Sequence, residues 1–161
     1  MSARRRRWTA RMRRRMWERT KRHALHEAGG AAAPTRVLLA DDDDEMRVFL
    51  ASALRRDGYV VEEARDGAQL LARVCSMLFQ SEDGTAVDIL VADIRMPGHS
   101  GLDVLSIVRG ADWAVPIVLI TAFGDEDTHA KARQLGANAV LDKPFELTDL
   151  RSTMSQLAPP L

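Results

Sequence analysis

Short runs of uninterrupted apolar residues constrain this chain more than any other feature. Four stand out, Val37–Ala40, Ile89–Ala92, Ile117–Ile120 and Ala139–Leu141, with a weaker fifth at Tyr59–Val61. A run of this kind, with no polar alternation, buries both its faces, which is the demand of a strand inside a parallel sheet. Between the runs lie segments with helical spacing. Met46, Phe49, Leu50 and Leu54 mark a first helix, with Arg47, Arg55 and Arg56 mostly off the stripe. Leu70, Leu71, Val74, Met77 and Leu78 mark a second, and Leu102, Leu105, Ile107 and Val108 a third. Ala130 to Leu135 forms a fourth, and Leu147, Leu150, Met154 and Leu157 a fifth. Gly58 and Gly136 stand where helices end in a left-handed residue. Strands alternating with helices in this way predict a doubly wound α/β domain with a five-stranded parallel sheet.

The formal net charge of zero hides a division. Residues 1–34 carry ten Arg and Lys21 against Glu18 and Glu27, a net +9, so the remaining 127 residues carry −9. A basic tail (1–34), ending in the small, flexible stretch Ala28–Pro34, is therefore expected ahead of an acidic domain at 35–158. Cys75 is the single cysteine, which excludes a disulfide framework and a cysteine-rich zinc site and fits a reducing compartment, the cytoplasm. The chain has neither an apolar run long enough to span a bilayer nor the apolar core of a secretory signal.

In an open α/β sheet, ligands bind outside the carboxyl ends of the strands. There the sequence places Asp41-Asp42-Asp43-Asp44 after the first strand and Asp93 after the third, then Thr121 and Lys143 after the fourth and fifth. Carboxylates gathered in one cleft repel one another and call for a cation. Mg²⁺ fits best, because it accepts one or two carboxylates and keeps waters that a phosphate displaces. A carboxylate nucleophile, a divalent ion, an ammonium and a hydroxyl around one point are the parts phosphoryl transfer requires. Asp43 and Asp44 are read as capping and charging the first helix.

These segments resemble the receiver domain of two-component response regulators over roughly residues 36–157. VLLADD, VADIRMPG with SGLDVL, IVLITA and LDKPF follow in order at fitting spacing. The resemblance implies a flavodoxin-like fold of strand order 2-1-3-4-5 and a phosphoryl group accepted on Asp93. It also implies an acidic pair, with Asp42 a direct Mg²⁺ ligand and Asp41 acting mainly through water, and a metal contact from the Arg95 backbone carbonyl. Thr121 would be the switch hydroxyl and Lys143 the counter-charge, with a cis Lys143–Pro144 bond and a small residue, Ala122, where substrate enters. The implied partners are a sensor histidine kinase or histidine phosphotransfer protein and a downstream protein, with no turnover beyond self-phosphorylation and self-dephosphorylation.

The chain departs from the family pattern in places. Val140 occupies the position of the usual Tyr or Phe. The Cys75–Val87 connection is long, which predicts a surface loop at Ser81–Gly84. The sequence ends at Pro159-Pro160-Leu161, so no output domain is expected after the last helix. An alternative is a haloacid-dehalogenase-like phosphatase with Asp41 as nucleophile. It has Asp41-x-Asp43, but Glu45 replaces the usual Thr or Val, and no acidic motif follows Lys143. Flavin binding fails on charge, since four Asp residues repel a phosphate. His99 and His129 have no partner at metal-ligand spacing, His129 is expected to be exposed, and Cys75 to be a buried helix residue. For the tail, Arg clusters interleaved with Trp8 and Trp17 suit nucleic acid. The stripe Trp8, Met12 and Met16 suits an anionic membrane, and a disordered extension upstream of the true start is the third reading.

Overall fold

The computed structural model describes residues 33–79 and 86–160. The basic tail segment and the loop expected at Ser81–Gly84 lie outside the described residues. The elements alternate as β1 (Arg36–Ala40), α1 (Asp44–Arg56), β2 (Val60–Ala64), α2 (Gly67–Phe79), β3 (Ile89–Asp93), α3 (Gly101–Gly110), β4 (Ile117–Thr121), α4 (Glu126–Leu135), β5 (Ala139–Asp142) and α5 (Leu147–Leu157). All strand pairs are parallel, in the order β2-β1-β3-β4-β5. None of the helices is long and apolar enough to cross a membrane among the described residues.

Strand parity divides the core into two layers. Val37, Leu39, Ile89, Val91, Val118 and Ile120 pack with Leu50, Leu54, Leu150 and Met154 of α1 and α5. Leu38, Ala40, Leu90, Ala92, Ile117 and Leu119 pack with Leu70, Val74, Leu105 and Val108 of α2 and α3. The central strands β3 and β4 are buried at every position, as their unbroken apolar runs require. The edge strands differ. β5 is only half-buried, and β2 continues past Val61 through Glu62 and Glu63 to Ala64. Glu63 pairs with Arg47 and Arg55, and Glu62 with Arg73. Paired charges on an edge strand solvate it and discourage edge-to-edge association.

Helix ends follow local chemistry. Asp43 caps α1 by accepting from the Met46 amide at 3.0 Å. Ser100 and Asp103 form a reciprocal capping box on α3. Asp125 caps α4, and Gly136 ends it in the left-handed conformation, φ 93°. Two positions assigned to buried stripes face outward. In α1 the buried face uses Leu50, Ala51, Ala53 and Leu54, leaving Phe49 57% exposed; in α3, Val104 takes the buried place and Ile107 is exposed. Cys75 is half-buried rather than buried.

Candidate functional site

The register lays the chemistry along one sheet edge. Asp93 is the last residue of β3, and Thr121 is the last of β4. Asp41 follows β1, and Lys143 follows β5. Asp41 and Asp93 continue the odd-numbered positions of their strands, which face α1 and α5, and Lys143 continues the parity of Ala139 and Leu141. Thr121 continues the opposite parity, that of Ile117 and Leu119.

Lys143 Nζ donates to Asp93 Oδ2 at 2.7 Å and to Asp41 Oδ2 at 3.0 Å. The other oxygen of each carboxylate takes a backbone amide, Asp43 N to Asp41 Oδ1 at 2.9 Å and Arg95 N to Asp93 Oδ1 at 2.8 Å. Both carboxylates are buried, Asp41 to 1% exposure and Asp93 to 5%. Asp42 is exposed, yet one carboxylate oxygen from each of Asp41, Asp42 and Asp93 lies within 4.8 Å of the others. Burial raises the pKa of Asp41, and the Asp93 charge adds to the rise, while hydrogen bonds from Asp43 and Lys143 pull it down. Burial pulls the Lys143 pKa down, but its bonds and charge pairing with Asp93 and Asp41 outweigh this and leave it raised. The ammonium therefore stays charged across neutral pH.

These donors fit a hard divalent ion. They are all oxygen, they carry more than one negative charge, and the exposed Asp42 leaves an approach for solvent. Arg95 joins the site through its amide on Asp93, and its carbonyl belongs to the same loop. Thr121 is 1% exposed, and its Oγ1 accepts from the Phe123 amide at 3.1 Å. The Lys143–Pro144 peptide is cis, and the Lys143 amide donates to the Thr121 carbonyl at 2.7 Å. Ala122 is exposed, and Val140 is half-buried against the α2/α3 layer.

Other site features escaped the sequence. The Arg95 guanidinium stacks over the Phe123 ring, 4.4 Å from its centroid. His129, half-buried rather than exposed, pairs with Asp142 at 2.8 Å. Its partner is thirteen residues away, a separation no helical or metal-ligand spacing reveals. Beside Lys143, Met46, Phe49, Phe145 and Leu147 line an apolar recess.

A family model for the response regulator receiver domain matches residues 37–155. The transcriptional regulatory protein PdtaR of Mycobacterium tuberculosis is 38% identical over 121 residues, covering 74% of this chain and 55% of that protein. Sporulation initiation phosphotransferase F of Bacillus subtilis is 25% identical over 77% of this chain and 94% of its own length. The chain spans about half the length of PdtaR and of the other mycobacterial regulators it matches. Among solved structures, the response regulator TrrA of Thermotoga maritima in complex with Mg²⁺–BeF aligns at TM-score 0.65 and 27% identity, covering 76% of this chain and 98% of that one. Chemotaxis protein CheY4 of Vibrio cholerae aligns at TM-score 0.67 and 27% identity, covering 78% and 99%. The order of the strands, the three gathered aspartates and the match over nearly the whole described domain lead to one conclusion: this chain belongs to the response regulator receiver family.

Proposed function

We infer that the chain is a phosphoacceptor switch of a cytoplasmic two-component system, in which Asp93 takes a phosphoryl group from a phosphohistidine. The observation that carries this reading is the shared cation, with Lys143 bonded to Asp93 and Asp41 while Asp42 completes an all-oxygen cluster. In the transfer, an Asp93 carboxylate oxygen forms a bond to phosphorus as the phosphorus–nitrogen bond breaks, and the electron pair returns to the imidazole. Such a transfer asks the protein chiefly for positioning and charge neutralisation. The Arg95 amide holds Asp93 in place, and Lys143 neutralises charge on the incoming group. The Thr121 hydroxyl turns from the Phe123 amide to donate to a phosphoryl oxygen. Asp42, Asp41 and Asp93, with the Arg95 carbonyl, are the residues that would hold Mg²⁺. When bound, that ion supplies charge stabilisation on the transferring oxygens.

The donor protein must bring its histidine to a recessed carboxylate, and the apolar recess of Met46, Phe49, Phe145 and Leu147 offers it a seat beside Lys143. The relay relative in Bacillus subtilis supports a kinase or phosphotransfer protein as that donor. The chemistry is a single acceptance followed by slow hydrolysis, without turnover of a separate substrate. The phosphatase alternative through Asp41 is not favoured, because the family match assigns the whole domain to receivers.

Incubation with acetyl phosphate and Mg²⁺ tests the reading. The intact chain is expected to become labelled and Asp93→Asn to stay unlabelled. Undiminished labelling of that variant overturns the assignment.

A further inference from the structure

Lys143 extends from the edge of the sheet. β5 is a strand of four residues, bonded to β4 alone and nowhere fully buried. The residue after it must nevertheless hold an ammonium within hydrogen-bond reach of both Asp93 and Asp41. An anchor from α4 compensates for the missing neighbour strand. His129 Nε2 donates to Asp142 Oδ1 at 2.8 Å and to Asp142 Oδ2 at 3.0 Å, and Asp142 directly precedes Lys143. Room for this pair depends on Gly124, where a Cβ would overlap Asp142 Oδ1 and lie 2.7 Å from His129 Nε2. The His129 side chain is 23% exposed and that of Asp142 52%, so solvent protons reach the pair.

A carboxylate only accepts, so Nε2 carries a proton in both charge states of the ring, and a second proton enters at Nδ1. That second proton turns a neutral hydrogen bond into a charge-assisted one, about twice as strong. The other charges near the ring lie on three elements. α4 itself carries Asp125 and Glu126 one turn before His129 and Arg133 one turn after it. From the loop after β3, Arg95 acts on Asp125, whose pKa is lowered by its Thr128 bonds and further by the Arg95 and His129 charges. α3 presents Asp103, lowered by its bonds to Ser100 and further by the charges of His99 and Lys131. The hydrogen bonds of the imidazole itself run to Asp142, so Asp142 is the group that responds to its charge.

We propose that His129 and Asp142 are positioning residues for phosphoryl acceptance, holding the end of β5 and with it Lys143, and that His129 makes the rate of acceptance depend on pH. The proposal rests on the acceptor reading above. Protonated His129 grips Asp142 more tightly and keeps the ammonium trained on Asp93. Acceptance is therefore better supported on the acid side of the histidine titration than on the alkaline side.

The test is a pH series of labelling rates with acetyl phosphate and Mg²⁺, read as the ratio of parent to variant so that titration of the Mg²⁺ ligands and the donor cancels. His129→Gln keeps a neutral amide donor for Asp142 but takes up no proton. Its rate should equal the parent's near about pH 8 and fall about two- to fivefold behind near about pH 5, the ends of the interval in which histidine changes charge. His129→Ala and Asp142→Ala, which leave no bond, should slow labelling at neutral pH by similar factors. His129→Ala/Asp142→Ala should be no slower than either single variant. The NMR titration of the His129 ring, assigned by its loss in His129→Gln, should share its midpoint with the parent-to-Gln ratio. A pair with a merely structural role would lower the melting temperatures of the variants and leave that ratio flat. A flat ratio overturns the proposal, as do unchanged rates in both alanine variants or additive losses in the double variant. Failure of the intact chain to label at any pH would instead sink the acceptor reading, so the two failures are distinguishable.

Discussion

Lys143 and Asp93 are joined by a 2.7 Å hydrogen bond, and the same ammonium reaches Asp41 at 3.0 Å, so one cation serves two buried carboxylates from different strands. The raised pKa of Lys143 fixes the sign of its contribution. A cation whose pKa is higher folded than unfolded stabilises fully below the unfolded value, about 10.4 for lysine, and loses that contribution as pH climbs through the folded value. At neutral pH the contribution is intact. Lys143→Met should therefore destabilise the metal-free chain by about 2 kcal/mol, below the roughly 3–5 of a fully buried pair, because solvent still reaches the ammonium. Millimolar Mg²⁺ should then raise the variant's melting temperature by more than the parent's, since the ion replaces the lost charge. Equal shifts in thermal melts would contradict a shared cation.

The two neighbouring aspartates should separate by pH and by stability. Asp42 is exposed, so Asp42→Asn should leave stability within about 0.5 kcal/mol of the parent. The same change removes a ligand and should weaken Mg²⁺ binding about tenfold or more. Asp41 has its pKa raised by burial. A carboxyl raised in this way favours folding below its unfolded value, near 3.9, and that contribution is lost as pH rises through the folded value. For the metal the consequence runs the other way, because Mg²⁺ needs the ionised form. Its affinity should start to fall on acidification at a higher pH than an exposed carboxylate would dictate, as Mg²⁺ titrations across a pH series will show.

How far the sequence reached depends on which force shaped each element. Strands β3 and β4 are legible because full burial leaves four consecutive apolar residues in each before the polar residue that ends it, Asp93 or Thr121. The apolar run of β2 stops at Val61 because Glu62 and Glu63 interrupt it, yet both remain paired with β1 while their side chains form ion pairs with Arg73, Arg55 and Arg47 at the sheet edge. The size and spacing of Phe49 predict burial, yet the helix buries the smaller Ala51 and Ala53 instead. In the site, Asp93, Asp41, Thr121 and Lys143 were readable from their places after apolar runs. Contacts between distant side chains leave no local pattern, which hid Arg95 on Phe123 and His129 on Asp142. Arg109 was hidden for the same reason. Its guanidinium donates to the carbonyls of Trp113, Val115 and Gly136 and to Asn138 Oδ1, stitching the end of α3 to the approach of β5.

The outward Phe49 yields a prediction about the donor. A small donor such as acetyl phosphate needs no docking surface, whereas a phosphohistidine on a protein does. Phe49 is 57% exposed at the apolar recess, so Phe49→Ala should cost the core little. It should slow transfer from a histidine kinase that labels the chain by about tenfold, the effect of losing one aromatic anchor. Labelling by acetyl phosphate should be unchanged. Equal slowing with both donors would mean that Phe49 acts on the pocket itself.

Gly101 tests how tightly α3 holds the acceptor. The helix begins at this residue, directly after the Ser100 N-cap and within the Ser100–Asp103 capping box, and the Gly101 amide donates to the Ile94 carbonyl at 3.0 Å. A Cβ here would lie 2.6 Å from the Asp93 carbonyl oxygen and 3.2 Å from the Ile94 Cα. Those are main-chain atoms, so no rotamer relieves the clash, and either the helix or Asp93 must move. Gly101→Ala should cost about 1–3 kcal/mol, the usual range for overpacking. A displacement approaching 1 Å at a reacting group slows chemistry by up to about a hundredfold, so the rate of Asp93 labelling should fall far more than stability implies. Gly110, at the other end of the same helix, supplies the control, because a Cβ there meets nothing within 4 Å. Gly110→Ala should be neutral or stabilise by about 0.5 kcal/mol, with labelling unchanged. Parallel melting and acetyl phosphate kinetics on the two variants decide the matter: similar labelling rates would show that the contact between α3 and the Asp93 backbone does not position the carboxylate.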